Sequence, residues 1–138
     1  MGRILGIDFG SRRIGISLSD PLKIIATPHT VIDRQKTPNY ISELKNIITS
    51  FKVDSIVVGL PFNMKGNESA QTKDTMDFIS ELKQSFTIKI HTTDERLSSK
   101  SAEDVLKLKG ISVSRNRDDV DKTAAAIILQ EFLDSHKT

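Results

Sequence analysis

Two runs of alternating apolar residues lie within residues 4–18, and together they restrict the chain to folds built around a β-hairpin. Leu5, Ile7 and Phe9 alternate with Ile4, Gly6 and Asp8, and Ile14, Ile16 and Leu18 alternate with Gly15, Ser17 and Ser19. A repeat of two is the pattern of a strand. The join, Gly10-Ser11-Arg12-Arg13, offers a glycine for positive φ and two arginines that a solvent-facing turn keeps hydrated. Asp8 does not fit this pattern. Aspartate is a poor strand former, and a buried unpaired carboxylate is costly enough to take up a proton instead. Two explanations stand open: a metal ion offsets its charge, or the side chain accepts backbone N–H bonds at the strand end.

With 138 residues the chain is expected to form one domain, residues 1–138, large enough to bury roughly two thirds of its unfolded surface. It has no cysteine, which removes disulfides, thiolate zinc sites and a cysteine nucleophile. His29, His91 and His136 are far apart, so any metal should be bound through oxygen. No apolar run approaches the ~20 residues that cross a bilayer, and the first residues enter a strand pattern without a secretory segment. The expected location is the cytoplasm, with no membrane contact. A net charge of +2 argues only weakly for nucleic acid.

Along the chain, residues 24–32 form a third β-rich run, which Pro28 assigns to a sheet edge. Thr37-Pro38 reads as an N-cap and first helical position, followed by Ile41, Leu44, Ile48 and Phe51 at helical spacing. Residues 55–60, Ser-Ile-Val-Val-Gly-Leu, read as a strand buried on both faces. A loop over 61–67 leads to a helix from Ser69 to about Phe86 with Met76, Ile79, Leu82 and Phe86 on one stripe. A strand over 87–92 runs into Asp94-Glu95-Arg96-Leu97-Ser98, and a helix containing Ala102, Val105 and Leu106 stops at Gly110. Residues 111–119 have neither period and read as a mobile loop. A last helix from Val120 carries Ala124, Ile127, Ile128 and Phe132, and a frayed tail begins at Ser135. The order βββαβαβαα describes an α/β fold: an RNase H-like mixed sheet, order 3-2-1-4-5, with helices on both faces.

Three carboxylate groups fall at element ends: Asp8, Asp94 with Glu95, and Asp118, Asp119 and Asp121. Ligands of open α/β sheets bind beyond the carboxyl ends of the strands, where Asp8 and Glu95 would lie roughly 10 Å apart at the base. Gly6 shares the face of Asp8, and Ala124 and Ala125 lie one turn beyond Asp121. Small residues on both sides would let the last helix carry Asp121 over Asp8. Clustered carboxylates suit hard divalent cations and the hydrolysis of phosphodiesters, in which one ion generates hydroxide and another stabilises the leaving oxygen. Against this, Asp118 and Asp121 have capping spacing, acids are favoured near a helix start, and Asp94-Glu95-Arg96 reads equally well as an exposed charged loop.

Four ordered motifs, residues 6–15 (GIDFGSRRIG), 58–66 (VGLPFNMKG), 94–98 (DERLS) and 121–125 (DKTAA), together resemble the YqgF/RuvX family nearly end to end. That family is similar in fold to Holliday-junction resolvases and acts as a nuclease in 5′-end maturation of pre-16S rRNA. The resemblance implies that Asp8, Glu95 and Asp121 are catalytic and hold the metal, Mg²⁺ or Mn²⁺; Asp94, Asp118 and Asp119 are left as possible further ligands. Arg12, Arg13, Lys65, Arg96, Arg115 and Arg117, near these motifs, are the candidates for substrate contact, against the plain alternative of solvated surface.

The expectation is a divalent-metal-dependent endonuclease of structured nucleic acid, with pre-rRNA favoured over branched DNA, working as a monomer or homodimer. A junction resolvase acting as a dimer and a catalytically weak RNA-binding module are the alternatives. Actin-like phosphotransferases, which also open on Asp-x-Gly, need a duplicated domain and are excluded by length.

Overall fold

The alternation in residues 4–18 becomes β1 (Arg3–Phe9) and β2 (Arg13–Ser19), an antiparallel pair in which Leu5 faces Leu18 and Asp8 faces Gly15. The computed structural model describes residues 2–61, 69–94 and 117–136. β3 (Ala26–Asp33) lies antiparallel to β2 at the sheet edge, and Pro28 falls opposite Ser17, where the register slips. The missing N–H is tolerated there because an edge strand needs no second partner. β4 (Val53–Leu60) runs parallel to β1, and β5 (Lys89–Asp94) runs parallel to β4. The five strands are ordered β3-β2-β1-β4-β5, as the spacing predicts.

Among the described residues three helices cover the sheet: α1 (Tyr40–Ser50), α2 (Ala70–Ser85) and α3 (Arg117–Ser135). Strand alternation divides the core between the two faces. Leu5, Ile7, Phe9, Ile14, Ile16, Ile56 and Val58 pack with Leu44 of α1 and Phe78, Ile79 and Leu82 of α2. Phe9 stacks on Phe78 with ring centroids 4.0 Å apart. On the other face Ile4 and Val57 pack against Ile128, Leu129, Phe132 and Leu133 of α3.

Several local expectations give way to tertiary context. Asn39, not Thr37, caps α1, its side chain accepting from the Ser42 N–H, while the Thr37 N–H is taken by the Asp33 carbonyl. Ser69 does cap α2, in a reciprocal box with Thr72. Met76, however, is 45% exposed, because the inward stripe of α2 is Thr72, Thr75, Phe78, Ile79 and Leu82. The buried threonines hold that stripe by donating to the carbonyls of Pro61 and Gln71. β5 starts and ends two residues later than predicted, since pairing of Leu60 with Asp94 sets its register. α3 starts at Arg117, so residues 117–119 are helical and not loop. An acidic residue in the first helical turn, here Asp119, is favoured by the helix dipole. The predicted helix around residues 102–110 lies outside the described residues.

Candidate functional site

The parallel strands β1, β4 and β5 end together, and Asp8 is the penultimate residue of β1. Its side of the sheet follows from its neighbours. Ile4 and Gly6 of β1 touch α3, as do Gly15 and Ser17 of β2, so Asp8 shares the α3 face. On β5, His91 packs against Phe132 of α3 with centroids 4.9 Å apart, which puts Thr93 on this face too. Asp94 alternates to the opposite face, beside Leu60. This separates it from Asp8.

α3 reaches Asp8 because glycines and a serine leave it room. A Cβ on Gly6 would lie 2.8 Å from Leu129 Cβ and 3.0 Å from the Ala125 carbonyl oxygen, and Ser17 Oγ donates to that carbonyl at 2.8 Å. At Gly15, the residue opposite Asp8, the approach is closer still: a Cβ there would overlap the Asp121 carbonyl oxygen. The first turns of α3 therefore rest on the backbone beside Asp8, as the small residues of both elements predict. Asp121 is the fifth residue of α3, and its carboxylate meets Arg13, Nε to Oδ2 at 2.6 Å. That partner replaces the helix-capping role that its spacing allowed.

The β1–β2 turn is held from the other side of the sheet. Gln71 Nε2 donates to the Phe9 carbonyl at 2.7 Å, and Arg34 Nη1 donates to the carbonyls of Gly10 at 2.9 Å and Ser11 at 3.0 Å. The Arg34 guanidinium sits 4.3 Å from the Phe9 ring centroid, a cation–π contact. Gly10 lies outside the left-handed region and so is not required there for positive φ. Its need is space, because a Cβ would lie 2.6 Å from the Arg13 carbonyl oxygen.

Of the sequence-predicted residues, Asp8, Asp121 and Arg13 are brought to one face. Arg12 points outward, its side chain 53% exposed, with Asp33 at 3.5 Å. Asp119 pairs with Lys122 at 3.5 Å. Glu95, Lys65, Arg96 and Arg115 lie outside the described residues, as do the side chains of Arg117 and Asp118. Sequence reasoning missed Gly15, whose signal was a glycine directly across from an anomalous aspartate. It also missed Arg34 and Gln71, which carry no local signal because their partners are backbone carbonyls remote in sequence. Burial depresses the pKa of His91, reinforced by Lys89 and His136, and burial and then Lys122 depress that of His29.

The donor set fits a hard divalent cation: two carboxylates on one face, at a position where no thiolate exists to prefer a softer metal. Thr93 Oγ1, on the same face, is buried without a hydrogen-bond partner among the described residues. Among the described residues no three His, Asp or Glu side chains gather to hold an ion.

Solved structures share this architecture. Thermus thermophilus RuvC in complex with a Holliday junction substrate superposes with a TM-score of 0.58, at 15% identity over 98% of this chain and 95% of that one. The fowlpox virus resolvase bound to Holliday junction DNA gives 0.62, at 13% identity over 99% of both chains. The fold thus places the chain in the RNase H-like class. Within that class the chain belongs to the RuvX family, described as Holliday junction resolvase, whose model matches residues 2–135. A relative from Syntrophomonas wolfei is 41% identical over 132 residues, 96% of this chain and 94% of its own length, and one from Maridesulfovibrio salexigens is 40% identical over 131 residues, 95% and 97%. Both bear the name "Putative pre-16S rRNA nuclease". The motif resemblance therefore extends to full-length relatedness. No helix among the described residues is long and apolar enough to cross a membrane.

Proposed function

We propose that this chain is a divalent-metal-dependent endonuclease that matures the 5′ end of pre-16S rRNA, with Asp8, Glu95 and Asp121 as the ligands of Mg²⁺ or Mn²⁺. The observation that carries the reading is the seating of α3 on Gly15, which brings the backbone of Asp121 against the strand position opposite Asp8. Glu95 is the residue that follows β5 in sequence, next in the odd-numbered series after His91 and Thr93, and it supplies the third carboxylate of the proposal. A divalent cation held there would polarise the phosphodiester and supply hydroxide near neutral pH. The chain's own part is to hold the carboxylates in place: Gln71 and Arg34 lock the turn after Asp8, and Ser17 ties α3 through Ala125. Arg12, with Lys65, Arg96, Arg115 and Arg117, would contact phosphates, which position the substrate without reading its sequence.

A four-way DNA junction is the second reading, favoured by the family description and by the junction-bound state of the two RuvC-like structures. Opposed nicks would require two sites and hence a homodimer, whereas rRNA trimming needs only a monomer. The test is to incubate purified protein with precursor rRNA and with a four-way junction, each with Mg²⁺ or Mn²⁺, alongside Asp8→Asn and Glu95→Gln. Metal-dependent cleavage of the RNA is expected, abolished in both variants with binding retained. Wild-type turnover in either variant removes that residue from the site, and binding without cleavage by the wild type makes the chain an RNA-binding module.

A further inference from the structure

Arg13 is the first residue of β2 and lies two positions before Gly15, on the face that carries Asp8. Among the described residues its guanidinium pairs with Asp121, across 108 positions of sequence, by Nε at 2.6 Å. Both side chains are mostly enclosed, 29% and 16% exposed, so the pair is shielded from solvent more than a surface ion pair. Lys122, the next cation on α3, is engaged by Asp119 at 3.5 Å. Arg13 is thus the cation that answers the negative charge of Asp121.

We propose that Arg13 is the internal counter-ion of this site, satisfying Asp121 while no metal is bound and competing with the metal for its Oδ2 oxygen. Two like charges brought together repel, and a resident guanidinium relieves that repulsion without leaving the carboxylate unpaired. The same positive charge opposes the arrival of a dication. Cation affinity is therefore set by the exchange of one positive partner of Asp121 for another. The contact suits exchange because it runs through Nε alone and does not use the two-pronged grip by which arginine holds carboxylates most firmly. This role rests on the metal-site reading given above, and it assigns Arg13 to positioning and charge, distinct from phosphate contact.

The test is Mn²⁺ binding by calorimetry to wild type, Arg13→Gln and Arg13→Lys, each checked for a cooperative melt, with no nucleic acid present. Arg13→Gln should bind Mn²⁺ at least about tenfold more tightly, since tenfold is the effect of removing one unit charge from beside a dication at water-like screening and this pair is better shielded. Arg13→Lys keeps the charge and should stay near wild type. Arg13→Gln binding equally or more weakly overturns the counter-ion role and leaves the metal site standing, whereas no Mn²⁺ binding by any of the three overturns both. A second measurement needs no stable variant: the Arg13 Nε–Hε resonance of the wild type should shift and exchange faster with water as diamagnetic Mg²⁺ is added. A resonance unchanged while backbone amides near Asp8 respond to Mg²⁺ overturns the proposal.

Discussion

Gly15→Ala perturbs the contact that brings α3 to Asp8. A Cβ at this position would overlap the Asp121 carbonyl oxygen, and it would lie 2.6 Å from the carbonyl carbon and 3.3 Å from Lys122 N. All three atoms are backbone, so no rotamer change relieves them. Ordinary contact begins at 3.4 Å, which requires the start of α3 to withdraw by roughly 1 Å. Further along, the helix is held by the 2.8 Å hydrogen bond from Ser17 to Ala125 and by its close packing on Gly6. It must tilt about those anchors or break them. Overpacking costs about 1–3 kcal/mol, and the upper end applies where nothing flexible can yield. About 3 kcal/mol lowers the melting temperature of a chain this long by roughly 10 °C. The effect on function should be larger than the loss of folded protein, because a misplacement of ~1 Å near reacting groups costs about a hundredfold in rate. Calorimetric melts, with cleavage and Mn²⁺ titration at 25 °C where the variant is still folded, measure both parts. A variant that melts within about 2 °C of wild type and binds Mn²⁺ normally would refute the contact as the determinant of the site.

Asp8→Asn should remove most of the stabilisation by Mn²⁺, about 2.7 kcal/mol at a hundredfold excess over Kd; a variant that Mn²⁺ stabilises as much as wild type contradicts the site. Arg34→Ala removes donors to Gly10 and Ser11, an ion pair with Asp74 at 3.3 Å and the contact with Phe9, so a loss of about 2–3 kcal/mol is expected in denaturant unfolding; unchanged stability would show the turn to be held without it. His29 and His91 have pKa values depressed below their ordinary 6.5, chiefly by burial, so the unfolded chain binds protons first as pH falls. Stability should therefore decline below pH 6.5 and level off once both folded-state values are passed, and the double change to glutamine should flatten that part of the melting-temperature profile. Replacing Arg115 and Arg117 together by alanine should weaken nucleic-acid binding and reduce the slope of log affinity against log salt by about one unit per lost phosphate contact; an unchanged slope makes them bystanders.

Alternation is a local property, carried by residues i and i+2, so β1, β2 and the doubly buried β4 were legible before any coordinates. The strand order was legible too, because a meander followed by right-handed crossovers leaves few arrangements. Two explanations for Asp8 stood open in the sequence, and Asp121 could equally have been a cap. Only the tertiary structure seats α3 on Gly15, since that contact joins residues more than a hundred positions apart and depends on atoms that glycine lacks. The same holds for the ion pair of Arg13, read locally as a hydrated turn residue, and for Arg34 and Gln71, whose carbonyl partners leave no trace in composition or period. Met76 shows the converse. Its spacing matched an apolar stripe, yet α2 turned Thr72 and Thr75 inward: Thr75 donates to the Gln71 carbonyl one turn back, and Thr72 to the Pro61 carbonyl outside the helix, a partner that helical periodicity cannot foresee. Periodicity and turn chemistry specify elements, whereas a site made of groups distant in sequence is specified by how closely those elements can approach.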